Sequence, residues 1–205
     1  MNSIAGFILV GGSSRRMGTD KAQLLVAGQT FAQRIAEEMS KVVDSVTLVG
    51  RDLEKLHPQL PSVPDVYEKW GALGGVHGAL SACPSSWALI VACDLPFVTA
   101  ALFGHLAALR DGQEAVAPIQ NDGLPQPLCA LYARTPCLDV ADQLIKTGER
   151  KPIALLQSVR TRWVPFEELG ALTGAQHFFD NVNTPQDYEH VIRKGEVVRL
   201  EGGIE

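Results

Sequence analysis

The sequence predicts a single α/β domain built on a mostly parallel, doubly wound sheet of the Rossmann-like kind. Three observations carry this. Short continuous apolar runs, Ile4–Val10 (IAGFILV) and Trp87–Ala92 (WALIVA), have the pattern of strands buried on both faces. Stretches of helical periodicity alternate with them. Glycines, cations and an aspartate follow two of the runs directly, at the carboxyl ends where open α/β sheets bind ligands.

Taken in order, Ile4–Val10 is a buried strand ended by Gly11-Gly12. Phe31, Ile35, Met39 and Val42 recur at helical spacing and predict a helix facing the sheet. Ser45–Val49 reads as a second strand. Pro61, Pro64 and the glycines of Gly71–Gly75 predict a long loop, followed by a short helix over Gly75–Ala82. Trp87–Ala92 is a buried strand that runs into Asp94. Thr99 is placed to cap a helix over Ala100–Arg110. Glu114–Pro118 and Leu128–Ala133 read as strands, Thr135–Thr147 and Pro152–Gln157 as helices, and Arg160–Val164 as a strand. Thr184 and Pro185 have the types that open a helix, as N-cap and first residue. The domain spans 1–194, and 195–205 form a polar, Gly-containing tail.

Composition narrows the class. At 205 residues, with 46% hydrophobic and 20% charged residues, the chain has the make-up of a folded domain and not of a disordered one. A net charge of −5 argues against a nucleic-acid groove as a global feature and leaves room for a local cationic pocket. No apolar run reaches the ~20 residues of a membrane span. The start, MNSIAGFILVGG, has no basic region and no cleavage site, so it reads as a strand and not a signal peptide. Cys83, Cys93, Cys129 and Cys137 form no C-x-x-C pair, which sets aside zinc-ribbon and thioredoxin readings. With no secretion signal, the expected location is the reducing cytoplasm.

The loop after the first strand reads Gly11-Gly12-Ser13-Ser14-Arg15-Arg16-Met17-Gly18-Thr19-Asp20-Lys21. Glycines let backbone N–H groups approach an anion, and Arg15, Arg16 and Lys21 add cations suited to phosphate. Counted from Gly12, a Walker A loop would need Gly at 17 and Lys at 18, where Met17 and Gly18 stand. The dinucleotide fingerprint fails too, because Gly12 and Ser13 follow Gly11. The loop is therefore a third type of phosphate binder; the plain alternative is a solvated surface loop. Asp94, in Cys93-Asp94-Leu95-Pro96-Phe97, can hold magnesium, which needs few protein carboxylates beside phosphate oxygens. Otherwise it shapes a turn before Pro96.

Together these motifs resemble a known family. Leu9–Lys21 (LVGGSSRRMGTDK) is similar to the L-A-G-G-x-S-x-R-M-G-x-D-K pattern of doubly wound nucleotidyltransferases. The resemblance is strongest to the molybdenum cofactor guanylyltransferase family. Asp65 followed by Gly71-Ala72-Leu73-Gly74-Gly75, Cys93–Phe97, Gln126–Leu128, Gly148–Arg150 and Asn181–Asp187 (NVNTPQD) agree with it. The resemblance implies transfer of GMP from GTP to the terminal phosphate of molybdenum-molybdopterin, releasing pyrophosphate, with Mg2+ as cofactor. It implies nucleotide contacts from Leu9, Val10, Gly11, Gly12, Lys21, Asp65, Gly74, Gly75 and Asp94. Lys21, Asp94 and Arg15 would be catalytic, with Asp94 on the metal. Asn181, Asn183 and Arg150 would bind the pterin. Molybdenum enzymes or their chaperones would be transient partners, and no nucleic acid or membrane is implied.

Alternatives stand beside these roles. Arg150 and Lys151 either grip the pterin phosphate or are solvated near a helix end. Asn181 and Asn183 read as a turn without the resemblance. His77 reads as structural, since no carboxylate partner is visible near it in sequence. Trp70 and Trp87 read as packing residues, with stacking on a base left open at Trp70. The family pattern is broken at Val10 for Ala and at Ala72 for Pro. It is broken again at Leu48–Arg51, which lacks the usual Asn. The rival functions are a CTP-dependent enzyme on the same pterin, a transferase acting on another small phosphate, and a silent nucleotide-binding module.

Overall fold

The computed structural model describes residues 3–10, 24–26, 28–50, 53, 59–64, 66–67, 70–190 and 192. Gly11, Gly12, Arg15, Lys21, Asp65, His57 and the 195–205 tail lie outside the described residues. In chain order the first elements are β1 (Ile4–Leu9), β2 (Leu25–Val26), β3 (Gln29–Thr30), α1 (Phe31–Ser40), β4 (Ser45–Val49) and β5 (Ser62–Val63). Then come α2 (Gly71–Ala82), β6 (Trp87–Ala92), α3 (Ala100–Ala108), β7 (Ala115–Pro118) and β8 (Cys129–Ala133). The last are α4 (Arg134–Lys146), α5 (Pro152–Ser158), β9 (Thr161–Val164) and α6 (Phe166–Leu169), followed by a 3-10 turn at Ala175–His177. Residues 185–190 are helical.

Seven strands form one sheet in the order β5-β4-β1-β6-β8-β7-β9. β1 pairs in parallel with both β4 and β6, and every residue of β1 and β6 is buried. That is why the two runs are apolar throughout instead of alternating. β4–β5 and β7–β9 are also parallel. β8 runs antiparallel to both β6 and β7, so the sheet is mostly parallel but mixed. The polarity of β8 is not legible in its apolar pattern, which a strand of either direction would show.

Helices cover both faces. Ile35 and Met39 of α1 and Leu102, Phe103 and Leu106 of α3 pack with Ile8, Leu89 and Val91 on one side. Leu73, Val76 and Leu80 of α2, Cys137 and Ala141 of α4 and Leu155 and Leu156 of α5 pack with Phe7, Leu9 and Ile90 on the other. Complete burial of each large apolar side chain contributes about 1.5–3 kcal/mol, so the two layers hold the sheet edge rigid.

The helix starts have local causes. Thr30 forms a capping box with Gln33, whose N–H donates to Thr30 Oγ1 at 3.2 Å while Thr30 N–H donates to Gln33 Oε1 at 2.9 Å. Thr99 caps α3 as expected, accepting from the N–H of Leu102 at 3.5 Å. Thr184 likewise accepts from Asp187 N–H at 3.1 Å. The expected long loop at Gly71–Gly75 is a correction. α2 begins at Gly71, so Gly74 and Gly75 lie inside a helix and are buried. Apolar packing against the sheet outweighs the ~1 kcal/mol that each glycine costs a helix.

All four cysteines are free and buried. Burial raises the thiols of Cys83 and Cys129 and pushes that of Cys137 up to about 12. Cys83, Cys129 and Cys137 thus have the character of packed thiols. No helix among the described residues is long and apolar enough to cross a membrane.

Candidate active site

Because β1, β4 and β6 are parallel, their carboxyl ends share one sheet edge. Leu9 is level with Val49 on one side and with Ala92 on the other. The strand ends are stitched further. Val10 N–H donates to Val49 C=O at 2.8 Å, and Cys93 N–H donates to Leu9 C=O at 3.1 Å. The expected backbone contacts of Leu9 and Val10 are thereby narrowed, since the Leu9 carbonyl and the Val10 N–H both bond within the sheet.

Gly50 closes this edge. Its φ is +151°, and a Cβ placed there would lie 2.0 Å from the Val10 carbonyl oxygen. No side chain fits. The position next to the end of β4, where the family pattern often has Asn nearby, is therefore dictated by close approach of two backbones.

Asp94 lies two residues past β6, partly buried in a turn. The turn is held from several directions. The Asp94 carbonyl accepts from Val182 N–H at 3.1 Å. Arg34 of α1 donates from Nε to Pro96 C=O at 2.9 Å, and its guanidinium lies 5.9 Å from the Phe97 ring centroid. The His177 ring is 6.0 Å from that of Phe97.

Val182 is fully buried in a small cluster with Leu24, Val26, Phe31 and Phe97. Its neighbours Asn181 and Asn183 are both exposed. This alternation pins the segment by its middle residue and leaves the two amides at the surface beside the Asp94 turn. The backbone N–H groups of Asn183 and Thr184 donate to Asp187 Oδ2 at 2.9 and 2.8 Å, which shapes the turn. Tyr188 reaches back to β2, its hydroxyl donating to Leu25 C=O at 2.9 Å. The described chain thus ends β1 next to β6 and resumes in β2 with Leu25 against Tyr188.

Arg150 occupies the opposite layer. It follows α4, and its guanidinium stacks on Trp70 with Cζ 5.0 Å from the ring centroid. The Glu149 carboxylate accepts from the N–H groups of Arg150 and Lys151 at 2.7 and 2.8 Å. Those two bonds hold its carboxyl below the usual value. Trp70 stands at the start of α2, so Arg150 sits by the Gly71–Gly75 segment while Asn181 and Asn183 sit by Asp94. Trp70 was expected either to pack or to stack on a base; it stacks with Arg150 and tilts against Tyr67 at 6.3 Å. Trp87 packs in the core.

His77 does have a carboxylate partner, which corrects the sequence reading. Its Nε2 is 2.8 Å from Asp142 Oδ1 of α4, and its ring stands edge-on to Tyr67 at 4.8 Å. The partner is far along the chain, so no local motif shows it. Arg34 is a further functional candidate that sequence reasoning missed, since a lone arginine on an amphipathic helix carries no signal.

A Gly- and Arg-rich sequence after β1 and an aspartate after β6, at the carboxyl ends of adjacent parallel strands in a doubly wound sheet, are the layout of an α/β nucleotidyltransferase. Residues 6–163 match the family model described as the MobA-like NTP transferase domain, and the chain belongs to that family. It is 35% identical over 188 residues, 91% of each chain, to a protein of Pelotomaculum thermopropionicum named "Probable molybdenum cofactor guanylyltransferase". It is 30% identical over 192 residues to the molybdenum cofactor guanylyltransferase of Desulfosudis oleivorans, covering 92% of this chain and 94% of that one. Among solved structures, it is similar to molybdopterin-guanine dinucleotide biosynthesis protein A of Archaeoglobus fulgidus. The TM-score is 0.80 at 26% identity, covering 94% of this chain and 99% of that chain.

Proposed function

We propose that this nucleotidyltransferase moves GMP from GTP to the terminal phosphate of molybdenum-molybdopterin, giving the guanine dinucleotide cofactor and pyrophosphate. The observation that carries the reading is the junction of Asp94 with Asn181–Asn183 through the bond from Val182 N–H to Asp94 C=O. The bond ties the backbone of Asp94, whose carboxylate suits a metal-bound phosphate, to the segment carrying Asn181 and Asn183, whose amides suit a heterocyclic acceptor. The guanylyltransferase names of the relatives favour GTP over CTP.

The attacking group is a phosphate monoester oxygen. Its second pKa is ~6, so it is largely dianionic at neutral pH and needs no base. It attacks the α-phosphorus of GTP; the new P–O bond forms as the bond to pyrophosphate breaks. The residues have two tasks, to align the anions and to relieve their repulsion. Lys21 and Arg15 hold the triphosphate, with Gly11 and Gly12 bringing N–H groups close. The base and sugar are assigned to Asp65 and the Gly74–Gly75 segment of α2, and the pterin to Asn181, Asn183 and Arg150. Magnesium fits the hard carboxylate of Asp94 and, when bound there with phosphate oxygens, supplies charge neutralisation. The reading places the reaction in the cytoplasm, with molybdenum enzymes or their chaperones as transient recipients.

Calorimetric titration with GTP, CTP and ATP in the presence of magnesium, followed by pyrophosphate release with the pterin, tests this. Selective GTP binding and pterin-dependent release are expected. Preference for CTP moves the product to the cytosine dinucleotide. Binding without release identifies a silent module.

A further inference from the structure

The chain joins the start of α2 to the Glu149–Lys151 loop by three contacts. The Trp70 indole N–H donates to Glu149 C=O at 2.8 Å. The Arg150 guanidinium lies over the Trp70 ring, 5.0 Å from its centroid. Leu73 N–H, in the first turn of α2, donates to Arg150 C=O at 3.3 Å. The backbone carbonyls of Glu149 and Arg150 therefore face the start of α2. The Glu149 carboxylate locks the next two N–H groups from the loop's own side.

Room for this is built into α2. A Cβ at Gly74 would come within 3.0 Å of Trp70 Cβ and 3.2 Å of the Tyr67 carbonyl. Glycine at 74 lets the indole seat against the helix, and Tyr67 supports the ring from the side. Arg150 is an exposed residue on a short connection between α4 and α5. An exposed arginine has many rotamers open to it, so it needs a surface to hold its direction. The Trp70 face is that surface.

We propose that Trp70 is a positioning residue for acceptor binding: it fixes the 149–151 loop and aims the Arg150 guanidinium. The inference rests on the reading of Arg150 as a pterin-phosphate contact. Trp70 itself touches neither substrate. It acts by keeping Arg150 in place before the acceptor arrives, which lowers the ordering cost of binding.

The test is a double-mutant cycle on the full chain with GTP, magnesium and the pterin acceptor. Trp70→Leu removes ring and N–H together, and Trp70→Phe keeps a ring face without the N–H. Trp70→Leu is expected to raise the acceptor KM about tenfold, with GTP KM and kcat changed by less than about threefold. Trp70→Phe recovers part of the loss. In an Arg150→Ala background, Trp70→Leu adds less than about twofold, because the group it positions is gone. Effects that multiply in the double variant overturn the inference and leave the Arg150 reading standing. So does a rise in GTP KM alone. An Arg150→Ala protein with unchanged acceptor KM overturns both. Thermal melts of the variants separate folding loss, and Trp70→Phe keeps the cycle decisive if Trp70→Leu does not fold.

Discussion

The backbone carbonyl of Asp94 accepts a hydrogen bond from the N–H of Val182 at 3.1 Å, so the turn after β6 and the NVN segment form one unit. The bond uses main-chain atoms only. Side-chain substitutions at Asp94, Asn181 or Asn183 therefore leave the atoms of this bond in place, and thermal melts separate their effect on assembly from their effect on ligands. Val182, fully buried between Phe31 and Phe97, anchors the join from below.

Asp94→Ala and Lys21→Ala are each expected to lower turnover at least ~100-fold, since each removes a charge acting on the transferring phosphates. Asp94→Asn keeps the size of the side chain and is expected to fall as far. Pyrophosphate release measured at saturating GTP and acceptor checks this, with thermal melting as the control for folding. Turnover near that of the parent chain in either variant removes the residue from the catalytic set.

Asn183→Ala is expected to spare GTP affinity and weaken acceptor affinity about fivefold or more, as loss of one hydrogen bond to a ligand does. Asp187→Ala acts on the same segment by a different route. It removes the acceptor for two backbone N–H groups and a first-turn carboxylate. It should cost the last helix about 1 kcal/mol and weaken acceptor binding with it. Separate calorimetric titrations with GTP and with the pterin distinguish the outcomes; a GTP-affinity loss in Asn183→Ala would place that amide on the nucleotide.

Gly50→Ala is expected to destabilise the chain by on the order of 3 kcal/mol, because its Cβ would lie 2.0 Å from the Val10 carbonyl oxygen. The strand ends must separate to admit it, which also displaces Val10 at the end of β1. Gly50→Asn brings the family's usual side chain near this position and should be no milder. Denaturant melts, read beside GTP titrations, measure both effects. A melt matching the parent chain would show that the strand ends yield freely.

Glu38 makes stability depend on acid pH. Burial raises its carboxyl pKa, but the hydrogen bond to Lys41, the Ala100 N–H and the charges of Lys41 and Arg34 outweigh it, so the net shift is below 4.5. The Ala100 N–H, at the start of α3, donates to Glu38 Oε2 at 2.8 Å. A lowered native value means the unfolded chain binds the proton more readily. The contribution is full above the unfolded value near 4.5 and is lost as pH falls through the native value. Glu38→Gln should lower stability at pH 7 by about 1 kcal/mol and converge with the parent chain in acid. Melts across pH 2–7 check it; a constant difference across that range would exclude the linkage.

Much of the fold was legible. Ile4–Leu9 and Trp87–Ala92 announce themselves because a strand covered on both faces must be apolar at every position. Thr99 and Thr184 mark helix starts because a hydroxyl there satisfies an otherwise orphaned N–H. The segment at Gly71–Gly75 misled for the opposite reason. Local propensity favours a loop, and only the sheet face under Leu73 and Val76 makes it a helix. The two-residue strands β2, β3 and β5 carry too few residues to show a period.

The sequence by itself determined the class of chemistry. Glycines and cations after one strand and an aspartate after another can be read in order, because the residue types of the nucleotidyltransferase pattern are visible wherever they stand. Tertiary structure alone decided which of them meet. Parallel pairing of β1 with β6 levels Leu9 with Ala92 and so brings the end of β1 to the strand that runs into the Asp94 turn. Burial of Val182 sets Asn181 and Asn183 beside that turn, and Trp70 draws Arg150 to α2 in the other layer. The contacts of His77 with Asp142 and of Arg34 with Pro96 join distant parts of the chain. A sequence lists such residues without distances; packing two helical layers on one sheet supplies them.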